Sequence, residues 1–267
     1  MSKKPCIIYY SNELEDEFAE DNIIPKRIDG CYQYIREGIW SKVSHVFWYR
    51  IIAIPLAKLY MKLYFHHRII NKEILKQAGK QGYFLYGNHT HFLADALIPT
   101  MVNMPRMVSV IVHPNNVSMP ILGRITPSLG ALPLPGDADA AKNFVKAITA
   151  KIMKKECVMI YPEAHIWPYY TDIRPFKDTS FRYPIQYKVP SFCLTNTYQK
   201  RRFSKKPRIV TYLDGPFYPD EKKSAKEQKS ALRDVIYDTM KKRAQYNEVF
   251  LVRYEKVQKR GLTGRND

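Results

Sequence analysis

Ten consecutive residues, Tyr86-Gly87-Asn88-His89-Thr90-His91-Phe92-Leu93-Ala94-Asp95, put a glycine turn, two imidazoles and one carboxylate behind a short apolar run. An imidazole can take a proton from a hydroxyl near neutral pH. A carboxylate at its other nitrogen orients the ring and stabilises the imidazolium as it forms. Two pairings compete. His89 precedes Asp95 by six positions, whereas His91 and Asp95 stand four apart, the spacing that places two side chains on one helix face. A second polar cluster opens at Tyr161-Pro162-Glu163-Ala164-His165, and Arg174, Lys177 and Arg182 follow it. No set of residues has metal-ligand spacing, and neither a phosphate-cradling glycine loop nor a serine nucleophile elbow is present. The pattern points to proton transfer and direct attack by a bound hydroxyl, without a covalent enzyme intermediate, metal or redox cofactor.

Elements that could position these groups alternate along the chain. YFLYG (83–87), MVSVIV (107–112), ECVMIYP (156–162), PSFCLTNTY (190–198) and RIVTYLDGP (208–216) are short apolar runs that predict strands. Between them Asp95–Met104, Asp139–Lys155 and Lys222–Lys242 predict helices, with Asp137 and Asp139 suited to cap the second. Strands separated by helices imply an α/β domain with a mostly parallel central sheet flanked by helices. Both polar clusters then fall at the carboxyl ends of strands, where such sheets collect ligands and catalytic groups.

Before this domain, residues 46–65, VFWYRIIAIPLAKLYMKLYF, are long enough to approach a membrane span but are interrupted by Arg50, Pro55, Lys58 and Lys62. Wound as a regular helix, Arg50, Lys58, Lys62 and Arg68 share one third of the circumference, a pattern that suits a helix lying in the lipid headgroup region. His45, His66 and His67 border it and read as interfacial or solvated. Residues 1–75 are thus expected to be an N-terminal, helical, membrane-interfacial segment, and 76–267 an α/β domain with a basic C-terminal region. The chain of 267 residues carries a formal charge of +18, and residues 199–267 hold nineteen Lys/Arg against nine Asp/Glu. Such an excess attracts anions but cannot alone choose between a bilayer, a phosphorylated ligand and nucleic acid; no nucleic-acid recognition motif accompanies it. Cys6, Cys31, Cys157 and Cys193 match neither a disulfide framework nor a zinc site, which suggests free thiols. The N-terminus turns acidic after a short apolar run, unlike a secretory signal, so the expected place is the cytoplasmic face of a membrane.

Asn88-His89 with Asp95, the strand-end Tyr161-Pro162-Glu163, Phe176-Lys177-Asp178-Thr179-Ser180-Phe181 and Val189-Pro190 occur in the order and spacing of a known family. Over roughly residues 70–215 the chain resembles the glycerolipid acyltransferases, the relatives of lysophosphatidate (1-acylglycerol-3-phosphate) acyltransferase. The resemblance implies transfer of a fatty acyl group from acyl-CoA or an acyl-carrier protein to a glycerolipid hydroxyl, by default that of 1-acylglycerol 3-phosphate. It implies His89 as general base, Asp95 as its orienting partner, and Asn88 and Glu163 in acceptor binding, and it adds an anionic membrane surface and a lysophospholipid as partners. His91 stays a competitor for the base.

This chain departs from the family in its spacing and its cations. Five residues separate His89 from Asp95 where the family has four. The family's Pro-Glu-Gly-Thr-Arg becomes Pro162-Glu163-Ala164-His165-Ile166, and Gly136 stands where another arginine is expected. Both missing guanidiniums would suit a phosphate on the acceptor. Either His165, Arg174, Lys177 and Arg182 replace them, or the acceptor carries no phosphomonoester. A catalytically idle lipid-binding relative is the third reading.

Overall fold

A computed structural model describes residues 5–18, 23–35, 38, 43, 46–120 and 122–257; His45 and the last part of the basic C-terminal region, 258–267, lie outside the described residues. Strand β1 (Cys6–Tyr10) pairs in parallel with β9 (Val252–Lys256) as a two-stranded sheet of its own. The main sheet contains β2 (Arg68–Ile70), β3 (Tyr83–Gly87), β4 (Val108–Val112), β5 (Ala131–Pro133), β6 (Cys157–Ile160), β7 (Ser191–Arg201) and β8 (Ser204–Phe217), in the order β2-β8-β7-β3-β6-β4-β5. Every pairing is parallel except β7 with β8, which form a hairpin, so β8 and β2 run against the other five. The five apolar runs found in the sequence are all strands. β2 and β5, three residues each, are too short to leave a periodic signal of their own.

β3 is the central strand, and all five of its residues are buried, as a parallel strand covered on both faces requires. Tyr83 and Leu85 face one core cluster, with Ile54 and Met61 of helix α1 (Ile54–Leu63) and Ile98 and Val102 of α2 (Phe92–Asn103). Phe84 and Tyr86 face the other, with Phe144 and Ile148 of α3 (Ala138–Met153), Tyr183 of α4 (Arg182–Tyr187), and Leu232, Ile236 and Met240 of α5 (Ala225–Ala244). Local chemistry sets the helix starts. Asp137 caps α3 by accepting from the Ala140 N–H (2.8 Å), and Ser224 with Glu227 forms a capping box that begins α5 at Ala225 rather than at Lys222.

Residues 46–65 are not one regular helix. Val46–Ala53 is wound as a π-helix, and α1 follows from Ile54 with Pro55 in its first turn. The wider turn brings Tyr49 and Ile54, five apart, onto the core face that Ala57, Met61 and Phe65 continue. Phe47, Ile51, Leu56, Leu59 and Leu63 stay exposed, beside the exposed Arg50, Lys58 and Lys62. Among the described residues no helix is long and apolar enough to cross a membrane.

This arrangement separates two outwardly similar substitutions. Met61→Ala, in a fully buried position, is expected to cost roughly 2–5 kcal/mol in urea unfolding. Leu59→Ser, on the exposed stripe, should stay within about 0.5 kcal/mol of the unaltered chain. Equal costs would mean that α1 docks by another face.

Candidate active site

The site forms where β3 ends. Gly87, the last residue of the strand, is closely packed: a Cβ there would lie 3.2 Å from the Tyr161 ring and would push the Met159 methyl aside. Asn88 comes next and ties the strand end to β7, its amide giving to the Asn196 carbonyl (3.0 Å) and accepting from the Asn196 N–H (2.8 Å). The chain then turns into α2, and the turn closes around one carboxylate. Asp95 is 1% exposed. Its Oδ2 accepts from His89 Nδ1 (2.9 Å) and from the backbone N–H groups of Thr90 and His91 (both 2.8 Å). Its Oδ1 accepts from Asn196 Nδ2 (3.1 Å). An ionised carboxylate can only accept, and four donors converge on this one.

That geometry assigns different work to the two histidines. With Nδ1–H directed at Asp95, the unprotonated nitrogen of a neutral His89 is Nε2, free to accept a proton. The ring is stacked on Tyr161 at 4.3 Å, and the Tyr161 hydroxyl donates to the Asp95 carbonyl, so both partners of the pair are braced by one side chain. His91 is extended (φ −154°) and is the N-cap of α2, its Nδ1 accepting from the Ala94 N–H at 3.2 Å. Its backbone, not its ring, meets Asp95. The i, i+4 relation fails because the helix begins one residue after His91. Burial holds the His91 ring below the ordinary imidazole pKa.

The second cluster lies against the first. Glu163 is buried, with Oε2 accepting from the His89 N–H (3.1 Å) and Oε1 from the Arg174 N–H (3.1 Å). Burial pushes its pKa up, and the Arg174 guanidinium 3.5 Å away pulls in the opposite direction. Arg174 is itself fully buried, 4.8 Å over the Trp167 ring, and its guanidinium donates to the carbonyls of Glu13, Glu163 and His165. Trp167 and Tyr169 return backbone bonds to the His89 and Thr90 carbonyls (3.2 and 2.8 Å). Segment 163–174 is therefore a strap over 88–91. His165 sits at its outer edge, paired with Glu17 at 2.9 Å. Lys177 is exposed, and so is Arg182, whose guanidinium lies over the neighbouring Tyr183 ring at 4.9 Å; no contact joins either to His89. Among the described residues no three His, Cys, Asp or Glu side chains gather as a metal site. A cavity of about 390 Å³ opens beside Thr90 and His91, with Ile23, Phe92, Met119 and Tyr169 in its apolar wall and Asn115 and Asn116 supplying amides.

Three participants escaped the sequence reading: Asn196, Thr211 and His67. His67 Nε2 lies 2.7 Å from Thr211 Oγ1, which donates to Asn196 Oδ1 at 2.6 Å. Since the Thr211 proton goes to Asn196, His67 is the donor in the first bond, with a proton on Nε2. All three bonds from His67 to Asp95 therefore point the same way. The one signal was Thr195-Asn196-Thr197, three polar residues in succession inside an apolar strand, all buried.

Desolvation pushes the His67 pKa down to about 4. An unfolded chain takes up a proton below about pH 6.5 that the native ring refuses until about 4, so the native state is favoured above pH 6.5 and loses up to about 3 kcal/mol as pH falls to 4. His67→Gln can still donate to Thr211 and should flatten this slope when urea midpoints at pH 7 and pH 4.5 are compared. Parallel slopes would mean that His67 is not held neutral.

The family described as Acyltransferase matches residues 66–195. No curated protein matches the chain by sequence. A solved structure, that of the 1-acyl-sn-glycerophosphate (LPA) acyltransferase PlsC from Thermotoga maritima, superposes with a TM-score of 0.54 at 12% identity, covering 82% of this chain and 88% of that one. At that identity the likeness is one of fold, and it agrees with the mostly parallel α/β sheet described above. The matched region begins just before β2 and ends within β7, and so contains β3, the His89–Asp95 pair and the Glu163 strap; over these residues the chain matches the Acyltransferase family.

Proposed function

We propose that the chain transfers a fatty acyl group from a thioester, acyl-CoA or an acyl-carrier protein, to a glycerolipid hydroxyl, with His89 as general base. The observation that carries this reading is the His89 Nδ1–Asp95 bond of 2.9 Å, fixed by three further donors on the carboxylate. In the reaction His89 Nε2 takes the acceptor's hydroxyl proton as its oxygen bonds to the thioester carbonyl carbon. The tetrahedral intermediate then expels the thiolate, which takes the proton back from the imidazolium. Asp95 holds the ring's tautomer and offsets the transient positive charge. The cavity beside His91 is of a size and apolarity suited to a lipid chain. The exposed stripe Leu56, Leu59 and Leu63 next to Lys58 and Lys62 supports work at an anionic bilayer, with the helix lying on rather than crossing it.

The default acceptor is 1-acylglycerol 3-phosphate, by likeness to the Thermotoga maritima protein. One observation favours a second reading, an acceptor without a phosphomonoester. Arg174 is committed to Glu163 and backbone carbonyls, and among the described residues no lysine or arginine lines the cavity.

Radiolabelled acyl transfer to 1-acylglycerol 3-phosphate, other lysophospholipids and neutral glycerols tests both. His89→Ala is expected to lower turnover by at least about a hundredfold with the fold intact, as removal of a general base does. His91→Ala should retain transfer and lose about 1 kcal/mol of stability, the worth of an N-cap. The reverse result would move the base to His91. Product with the phosphorylated acceptor alone would dismiss the second reading, and product with neutral acceptors alone would establish it.

Asn196→Ala is expected to lower kcat about tenfold or more with KM little changed, since it frees Asp95 Oδ1 without touching substrate. An increase in KM alone would place Asn196 in binding instead.

A further inference from the structure

The densest run of cations in the chain lies outside the site. Residues 199–208, Gln-Lys-Arg-Arg-Phe-Ser-Lys-Lys-Pro-Arg, hold six cations and no acid. They form the far end of the β7–β8 hairpin, where Arg201 pairs with Ser204 and leaves Arg202 and Phe203 as the turn. Two of the cations are structural. Arg201 donates through Nε to the Pro207 carbonyl (3.1 Å), and Arg208 through Nε to the Lys200 carbonyl (3.1 Å), which staples the two strands. Lys200, Arg202, Lys205 and Lys206 are exposed. At the turn Phe203 is 89% exposed, with the Arg202 guanidinium 5.1 Å over its ring.

A stapled hairpin that holds a phenyl ring in water, ringed by cations, has the composition of an interfacial anchor: an apolar tip for the acyl boundary and a charged collar for headgroups. Its position agrees with its composition. Arg201 also donates to the Tyr64 carbonyl, and Lys206 Nζ lies 4.5 Å over the Tyr64 ring, so the hairpin is fastened to the residue that follows α1. Leu63, 64% exposed, is Tyr64's neighbour and the end of the exposed stripe of α1. Leucines, tyrosine, phenylalanine and cations therefore meet on one continuous surface. An acidic protein or a nucleic acid would satisfy the cations but leave Phe203 and the leucines in water; an anionic bilayer satisfies both.

We propose that the β7–β8 hairpin is a second membrane-docking element, inserting Phe203 at the acyl boundary of an anionic leaflet while Arg202, Lys205 and Lys206 meet lipid phosphates. Two contacts, α1 and the hairpin, fix the orientation of the domain on the surface where one would leave it free to roll. The inference rests on the interfacial reading of α1.

The test is flotation of the full chain with vesicles of phosphatidylcholine alone and of phosphatidylcholine with one quarter phosphatidylglycerol. Phe203→Ser is expected to lower partitioning onto the anionic vesicles about tenfold, and Phe203→Leu to restore most of it. Arg202→Ala with Lys205→Ala should lower it ten- to thirtyfold, roughly the effect of two cations near such a surface, and reduce its salt dependence. Unfolding midpoints of these exposed variants should match the unaltered chain. Binding by Phe203→Ser equal to that of the unaltered chain, while Leu59→Ser with Leu63→Ser binds poorly, would overturn the hairpin proposal and leave the α1 reading standing. Absence of binding by the unaltered chain to either vesicle would overturn both. Release from anionic vesicles by an excess of DNA or acidic carrier protein, with Phe203→Ser silent, would assign the hairpin to those partners instead.

Discussion

The Asp95 carboxylate is the point on which the site depends. A charge at 1% exposure is tolerated only when its oxygens are saturated with donors. Here the donors come from the turn itself (Thr90 and His91 N–H), from the imidazole of His89, and from Asn196 on the neighbouring strand. Satisfying the charge and orienting the His89 ring are thus one event. Both backbone donors, Thr90 and the N-cap His91, lie just ahead of the first turn of α2, at the end of the helix whose dipole favours an anion. The carboxylate belongs to that helix, so the charge that begins α2 is also the one that aligns His89.

Around this point the fold spends its long-range contacts on keeping residues 88–91 still. Asn88 pairs with the backbone of Asn196 on β7, and Glu163 and segment 167–169 hold the other side through the His89 and Thr90 backbones. Glu163 and Arg174 make a buried ion pair whose net worth to stability is small once desolvation is counted, but whose geometry fixes where the strap lies. The cost of that arrangement is that neither group is at liberty to hold a phosphate. This links the lost arginines, one of them from the Glu163 block, to a question of acceptor chemistry.

On the surface, the same segment that packs α1 into the core through Met61 and Phe65 turns Leu56, Leu59 and Leu63 outward. The reversed strand β8 carries its cations to the end of that helix. Parallel and antiparallel parts of the sheet thereby take different tasks: β3, β6 and β7 converge on the site, and the β7–β8 hairpin projects away from it.

The sequence by itself determined the layers. Runs such as YFLYG and CVMI have no charged residue, a property that suits a strand covered on both faces, and the periodic segments between them could only cover those faces. It also placed His89 and Glu163 at strand ends and Asp95 at the start of the following helix, because those polar residues interrupt otherwise apolar runs. Tertiary structure decided everything that depends on partners distant in the chain. His91 has the better local spacing to Asp95, and yet its ring turns to cap α2, since the helix begins at Phe92. Arg174 looked like an anion-binding residue and became an internal brace because Glu163 and Trp167 enclose it. His67 and Thr211 gave no local sign of belonging to the site, for their connection to Asp95 runs through Asn196 on β7, 101 residues from that carboxylate. Periodicity reports which side of an element is buried, whereas a hydrogen-bonded network is specified by atoms that meet only after the sheet has formed.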